Sequence, residues 1–229
     1  MKKSDKIWRY LDFTKFVSLL ENRSLHLARL DSMGDPFEGS YPVSYLRNRQ
    51  LHELHQNEDQ RYKLRAHIAI SCWHQNDHES AAMWSLYLKS DEGVAIQSTA
   101  GKLIRELFAN CPSDCSAGVG PVRYIDFEKD EPSLGYLGAA LLKRKSFEHE
   151  KEIRATLYRC NENDGIDGVA EVEPSGLDIP VNLNNLIENV YVSPAAPKWF
   201  FDLVSAVVNR FDCEFPVNQS GMTRHSPLY

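Results

Sequence analysis

The sequence lacks the features that mark several large classes of protein. No apolar run approaches the roughly eighteen residues that a membrane helix requires, and residues 1–13 contain no apolar stretch of the length found in secretion signals. The net charge of −6 argues against a general nucleic-acid-binding protein, which would carry a basic excess. We therefore expect a cytoplasmic protein that does not contact membranes.

Common catalytic and metal-binding motifs are also missing. There is no Walker loop, no GxGxxG and no GxSxG. His74 and His78 are four residues apart but lack the intervening acid of a zinc-protease helix, and Cys111 and Cys115 lack a second ligand pair. The five cysteines are odd in number and irregularly spaced, which favours reduced thiols over a disulfide framework. We predict no metal site, and no cofactor is firmly implied.

The composition is that of a globular protein with a core. Of the 229 residues, 42% are hydrophobic and 25% are charged. No repeat or linker divides the chain, so we predict a single domain over residues 1–229. Predicted strands and helices are mixed without strict alternation, which favours an α+β fold with a mixed central sheet flanked by helices.

Local patterns predict most of the elements. Residues 43–66 are polar and are predicted to form a helical excursion or lid, and "CPSDCSAGVGP" is predicted to be a loop. The predicted strands are "KIWRYLDF", "SLHLARL", "HIAISCW", "GVAIQST", "VRYIDFE", "EIRATLYRC" and "LIENVYVSP". The predicted helices are "FTKFVSLLENRS" (capped by Asp12), residues 81–88, "AGKLIRELFANC", "LGYLGAALLKRKSFEHE" and "PKWFFDLVSAVVNRF".

The segment "GDPFEG" (residues 34–39) combines two acidic residues with a proline and an aromatic residue. Pro36 fixes its own φ and biases Asp35 away from helix, so that Asp35 can accept backbone N–H bonds in a turn. Two interpretations follow. The segment is a structural turn with Phe37 in the core, or Asp35 and Glu38 line a cleft at the end of a strand.

The segment "EHEKEIRAT" (residues 148–156) predicts a row of charges. In an extended chain, Glu150, Glu152 and Arg154 share one face, while the opposite face is apolar. The polar face is then exposed to water, or it forms a site. In a site, Arg154 would hold one carboxylate through a forked hydrogen bond, and the other would act as a base or bind a ribose hydroxyl.

Two further sets of residues have both structural and functional interpretations. Met83, Trp84 and Tyr87 form an aromatic stripe at helical spacing, which is either core or a platform for a ligand. Arg9 lies within an apolar strand and requires a partner such as Glu38 or Glu152.

Six segments occur in an order that resembles a bacterial family, domain of unknown function 2971. They are "WRY", "GDPFEG", "ISCW", "MWSLYLKSDEGVAIQ", "VRYIDF" and "KSFEHEKEIR". The chain departs from the family pattern at Gly34, where Asn is usual, and at Phe147, where Trp is usual. The positions that match the family's recurrent residues are Asp35, Glu38, Trp84, Tyr87, Lys145, Glu150, Glu152 and Arg154.

The order of elements is similar to that of ADP-ribosyltransferase folds, and this similarity implies a function. In that group an early Arg or His holds the nicotinamide dinucleotide, and a late Glu orients the ribose and stabilises an oxocarbenium-like transition state. The similarity implies that Arg9 is the holder, that Glu152 or Glu150 is the catalytic acid, and that NAD or another nucleotide-like molecule is the substrate. Asp35, Glu38, Trp84, Tyr87, Lys145 and Arg154 would bind it. Association of such proteins with phage-defence or toxin loci implies a nucleic acid or protein acceptor.

Two other hypotheses remain open. The protein is a non-catalytic binding or sensor module for a protein or nucleic acid, with residues 43–66 as its charged arm. Alternatively, the clustered charges form a buried ion network that fixes the fold.

Overall fold

The computed structural model describes residues 1–47, 65–88, 90–134, 138–159 and 171–222. The chain forms two compact units built from interleaved segments. Unit 1 comprises Met1–Leu25, Trp73–Glu106 and Pro180–Tyr229, and unit 2 comprises His26–Cys72 and Leu107–Ile179. The single-domain prediction for residues 1–229 stays a prediction. Of the predicted excursion at 43–66, residues 48–64 lie outside the described residues.

The described residues contain strands and helices in mixed order. The strands are β1 (Lys6–Asp12), β2 (Ser24–Arg29), β3 (Ile68–Gln75), β4 (Gly93–Thr99), β5 (Cys115–Pro121), β6 (Arg123–Ile125), β7 (Leu142–Arg144), β8 (Glu152–Arg159), β9 (Leu177–Pro180), β10 (Asn189–Val192) and β11 (Val217–Gln219). The α-helices are α1 (Phe13–Asn22), α2 (Val43–Leu46), α3 (Ala81–Tyr87), α4 (Ala100–Ala109), α5 (Leu183–Leu186) and α6 (Lys198–Arg210). Short 3₁₀ helices span Leu30–Ser32, Gly138–Leu141 and Lys145–Glu150.

The strands of unit 1 pair in both directions. β10 is parallel to β11 and antiparallel to β4, and β4 is antiparallel to β1 over seven residue pairs, with Arg9 opposite Ile96. β1 also pairs with β3, with Trp8 opposite His74. Together with the flanking helices, this arrangement confirms the predicted α+β class with a mixed sheet.

The first turn of α1 shows how local sequence sets these elements. The side chain of Asp12 accepts a hydrogen bond from the Lys15 backbone N–H at 3.0 Å, which satisfies one of the N–H groups left open at a helix start. Phe16, Leu19 and Leu20 are buried at helical spacing. The helix ends at Asn22, and the next residue, Arg23, adopts a left-handed conformation. The predicted cap and helix are confirmed.

In unit 2, β8 is an inner strand. It pairs with β3 and with β5, and the β5 pairing is antiparallel over seven residue pairs, with Gly120 opposite Arg154. All six residues from Glu152 to Leu157 are buried, on both faces of the strand. Of the two interpretations of the polar face, exposure to water is therefore excluded, because both faces of the strand are buried.

Two predicted elements of unit 2 are also wrong. "CPSDCSAGVGP" was expected to be a loop, but Cys115–Pro121 forms β5 because β8 supplies a complete antiparallel partner. "LGYLGAALLKRKSFEHE" was expected to be a helix, but it contains two 3₁₀ helices with β7 between them. β7 is parallel to β6, and Leu142 packs in a buried cluster with Ile125 and Phe127. These contacts are distant in sequence and outweigh the local helical pattern.

None of the helices in the described part of the chain combines the length and apolar composition needed to cross a bilayer.

Candidate functional site

Five charged side chains of unit 2 meet around the start of β8, and we call them the charged cluster. Glu152 and Arg154 lie two residues apart on β8, which places them on the same face of the strand. Glu150 ends the preceding 3₁₀ helix, Lys143 lies in the middle of β7, and Glu38 comes from the "GDPFEG" turn. Three carboxylates and two cations give the cluster a formal charge of −1.

Arg154 is the central cation of the charged cluster, and its side chain has no exposed surface. Its Nε and Nη2 donate to the two oxygens of Glu152 at 2.6 and 3.2 Å, which is the forked geometry predicted from the sequence. Nη2 also lies 2.5 Å from Oε2 of Glu38, and Nη1 donates to the backbone oxygen of Ala140 at 2.7 Å. The guanidinium is therefore fixed in position on several sides.

Lys143 is the second cation, and it is not among the site residues predicted from the sequence. Its Nζ lies 2.5 Å from Glu150 Oε2 and 3.3 Å from both Glu38 Oε1 and Glu152 Oε2. It also lies 4.9 Å from the ring centroid of Phe147, within the range of a cation–π contact. A lysine directly after two leucines in "ALLKR" was the available signal, because a charge within an apolar run needs a partner.

The two carboxylates nearest the start of β8 have opposite pKa shifts. Burial alone would raise the pKa of Glu152, but the charges and hydrogen bonds of Arg154, together with the charge of Lys143, lower it to about 2. Burial raises the pKa of Glu150, and its short contact with Lys143 only partly offsets this effect. Neighbouring carboxyl groups with separated pKa values are a recurrent arrangement in acid–base sites. Here one group is a fixed anion, and the other binds a proton more readily.

Two further side chains contact Glu152. The Tyr124 hydroxyl accepts a hydrogen bond from the Glu152 backbone N–H at 2.7 Å, and burial raises the pKa of Tyr124 to about 12, so the phenol remains neutral. The Cys72 thiol is hydrogen-bonded to the Glu152 carboxylate, and burial, reinforced by that carboxylate, raises the pKa of the thiol. A thiol of this kind is a poor nucleophile, since the thiolate is the reactive form.

The "GDPFEG" turn separates its residues between two environments. Asp35 accepts a hydrogen bond from the Phe37 backbone N–H at 3.1 Å and from Arg144 Nε at 3.0 Å. Asp35 therefore has its own partner, whereas Glu38 enters the charged cluster. The interpretation that places Phe37 in the core is excluded, because 38% of its surface is exposed. Gly39, at φ +71°, completes the turn in a backbone region that favours glycine.

The other predicted site residues lie outside the charged cluster. Lys145 of unit 2 forms an exposed ion pair with Asp130 at 2.8 Å. Arg9, Trp84 and Tyr87 belong to unit 1.

Within unit 1, the predicted stripe divides between core and surface. Trp84 is buried in a cluster that includes Trp8, Tyr10 and Met83, and its indole N–H donates to Glu79 at 3.1 Å. Tyr87 is exposed over 46% of its surface. The Arg9 guanidinium lies 5.9 Å from the ring centroid of Trp73.

Each unit contains an open cavity. The unit 2 cavity, of about 400 Å³, is bordered by Phe37, Ser40, Tyr41, Arg65, Phe127 and Glu128. The unit 1 cavity, of about 500 Å³, is bordered by Lys3, Ser4, Thr99, Lys102 and Arg105.

Among the described residues, no group of three or more His, Cys, Asp or Glu side chains is placed to hold a metal ion. The four described cysteines, at positions 72, 111, 115 and 213, are free thiols.

Comparison with known proteins gives matches to solved structures only. No family model and no curated protein matches the chain. A structure of Thermus sp. 2.9 DarT in complex with NAD+ aligns at a TM-score of 0.46 and 12% identity, covering 95% of this chain and 96% of that chain. A complex of the same protein with ADP-ribosylated ssDNA aligns at a TM-score of 0.43 and 12% identity, covering 96% and 97%. Likeness of this degree carries no argument about function, so the resemblances inferred from the sequence stay predictions.

Proposed function

We propose that the protein is an enzyme that cleaves the bond between ribose and base in a nucleotide-like substrate such as NAD+, with the charged cluster as its catalytic centre. The observation that carries the proposal is the pairing of Glu152, held ionised by a forked arginine, with Glu150, whose pKa is shifted in the opposite direction. Opposed shifts of this kind favour acid–base chemistry at the pair.

Glu152 supplies the electrostatic part of the mechanism. As the bond from ribose C1′ to nicotinamide N1 breaks, nicotinamide leaves with the bonding electron pair and positive charge develops on the ribose. A fixed carboxylate in a site of low dielectric stabilises that charge without reorganising. Arg154 and Lys143 act as positioning residues, because they keep Glu152 ionised and oriented.

Glu150 supplies the proton-transfer part. It is the most exposed carboxylate of the charged cluster, at 11% of its side chain against 3% for Glu152 and 4% for Glu38. The attacking nucleophile, water or an acceptor hydroxyl, forms a new bond to C1′ and transfers its proton to Glu150. A carboxylate with a raised pKa is the better base for this step.

The remaining predicted roles belong to the same proposal. Within unit 2, Asp35 and Lys145 would contribute to substrate binding, and the roles that the resemblance implies for Arg9, Trp84 and Tyr87 of unit 1 stay predictions. A nucleic acid or protein acceptor, in a phage-defence or toxin setting, is the acceptor that the family resemblance implies.

The proposal is tested by measuring nicotinamide release from NAD+ by the purified protein. We expect Glu152→Gln to lower the rate by about 100-fold or more, the usual effect of removing one transition-state electrostatic contact. Glu148→Gln is the matched control, because Glu148 is an exposed carboxylate in the 3₁₀ helix that ends at Glu150. Equal rates of nicotinamide release by Glu152→Gln and Glu148→Gln would contradict the proposal. So would a wild-type protein that neither releases nicotinamide nor binds NAD+. Melting temperatures measured alongside show whether each variant is folded.

A second candidate function is nucleic-acid binding without catalysis. It is favoured by the unit 1 cavity, where three basic side chains, Lys3, Lys102 and Arg105, border the same open space as the hydroxyls of Ser4 and Thr99. Lys102 also forms an ion pair with Glu188 at 3.4 Å. If the three cations contact phosphates, the affinity for single-stranded DNA should fall with a log–log salt slope of about −2. Glu152→Gln should leave this binding unchanged.

A further inference from the structure

One wall of the unit 2 cavity is formed by Phe37, an aromatic side chain that is exposed but fixed in orientation by its neighbours. Phe37 keeps 38% of its surface exposed. Its ring centroid lies 5.2 Å from that of Phe127 and 5.0 Å from the Arg144 guanidinium. Its backbone N–H is bonded to Asp35, which is itself fixed by Arg144. An exposed ring with a fixed orientation can act as a stacking platform for another flat group.

The rest of the cavity wall is also preformed. The Val43 backbone N–H donates to the Phe127 backbone oxygen at 2.9 Å, which ties two walls of the cavity together. Arg65 Nη2 donates to the Pro36 backbone oxygen at 2.8 Å and to the Ser40 hydroxyl. The ring of Tyr41 stacks on that of Tyr45 at 5.0 Å with an interplanar angle of 12°. A ligand would therefore require little rearrangement of the wall, which limits the entropic cost of binding.

The lining combines flat apolar rings with a few polar groups. At about 400 Å³, the cavity falls within the size range of small-molecule sites and suits one heterocyclic base with part of its sugar. Glu128 and the Ser40 hydroxyl border the same space and offer hydrogen-bond acceptors. The amino groups of nucleobases are donors that can form hydrogen bonds with these acceptors.

We propose that the unit 2 cavity binds the planar base of the substrate, with Phe37 as the stacking residue. The inference rests on the proposed function, since the base would belong to the same nucleotide-like molecule. Phe37 and Glu38 are consecutive residues of one turn, so the residue after the stacking ring lies in the charged cluster. A single short turn would thus help to place both the base and the reacting ribose.

The test is a calorimetric titration of the full chain with AMP, nicotinamide mononucleotide and ribose 5-phosphate. We expect at least one of the two base-carrying ligands to bind about tenfold or more tightly than ribose 5-phosphate. Phe37→Ala should weaken that binding about tenfold, and Phe37→Tyr, which keeps the ring, should retain it. The matched control is Phe108→Ala, which removes an exposed phenylalanine of unit 2 that does not border the cavity, and it should leave the affinity within twofold.

The outcomes separate this inference from the proposed function. Equal affinity for all three ligands, no binding of either nucleotide, or an unchanged affinity in a folded Phe37→Ala variant would overturn the base-binding cavity. Base binding that depends on Phe37, without nicotinamide release from NAD+, would support the cavity and reject the proposed reaction. Nicotinamide release with an unchanged KM in Phe37→Ala would support the reaction and reject the cavity.

Discussion

The low pKa of Glu152 has a direct consequence for stability. Because its folded-state pKa of about 2 lies below the ordinary value of 4.5, the ionised carboxylate stabilises the fold at neutral pH, and this contribution is lost as the pH falls from 4.5 towards 2. At pH 3 the shift corresponds to a loss of about 2 kcal/mol relative to pH 6. Glu152→Gln lacks this ionisation. The difference in unfolding free energy between the wild type and this variant should therefore be about 2 kcal/mol smaller at pH 3 than at pH 6.

The measurement is urea unfolding of the wild type and Glu152→Gln at pH 6 and pH 3. Glu150 titrates in the opposite sense, because its raised pKa favours the folded state as the pH falls. The same comparison in a Glu150→Gln background removes that contribution. Glu148→Gln is the matched control for the loss of a carboxylate, since this side chain is exposed. A constant gap between the wild type and Glu152→Gln at both pH values would refute the electrostatic account of the charged cluster.

Three further predictions concern the same region. Lys143→Met should destabilise the fold by about 3–5 kcal/mol in urea unfolding, because it leaves buried carboxylates without their cation. Adding Glu150→Gln to Lys143→Met should recover more than about 1 kcal/mol of the lost unfolding free energy. If the effects of the two substitutions on stability simply add, the two side chains are not coupled and the account is contradicted. Tyr124→Phe should cost about 1–3 kcal/mol by removing the acceptor of the Glu152 backbone N–H, and an unchanged urea midpoint would show that this bond is dispensable. Gly39→Ala should cost at least about 1 kcal/mol, because φ is +71° and the added Cβ would lie 2.7 Å from a leucine methyl group; a stability equal to the wild type would contradict the strain.

Much of the fold follows from short-range sequence patterns. The short, aromatic-rich sequence of β1, the Asp12 cap and the apolar spacing of α1 are local, so they could be predicted without knowledge of the tertiary structure. The forked pairing of Arg154 with Glu152 is also local, because residues two apart on a strand share a face and their charges are complementary.

The parts that escaped prediction depend on contacts that are distant in sequence. Lys143 was missed because "LLKRKSFEHE" has a helical pattern, whereas the packing of Leu142 against Ile125 and Phe127 favours an extended β7. The strand β5 has small residues and no apolar alternation, and it forms because β8 offers a partner. Neither strand is indicated by its own segment, although the position of Lys143 directly after two leucines did indicate a charge that needs a partner.

The exposure of individual side chains was equally hard to predict. A strand with one polar face usually shows that face to water, but β8 is an inner strand with both faces covered. One of the two interpretations of "GDPFEG" placed Phe37 in the core, but the turn directs Glu38 into the charged cluster and leaves 38% of the Phe37 surface exposed. Only the tertiary arrangement decides which of two consecutive residues is buried.

The measurement that most directly tests whether the charged cluster performs chemistry uses the double variant Glu152→Leu/Arg154→Met. Apolar replacement of a buried ion pair is often neutral for stability, and this variant keeps the formal cluster charge at −1 because one carboxylate and one cation are removed together. Nicotinamide release from NAD+ and the melting temperature are measured on the same sample. The account predicts a folded protein whose release falls to the level of a protein-free control. Release at the wild-type rate by the folded double variant would contradict it.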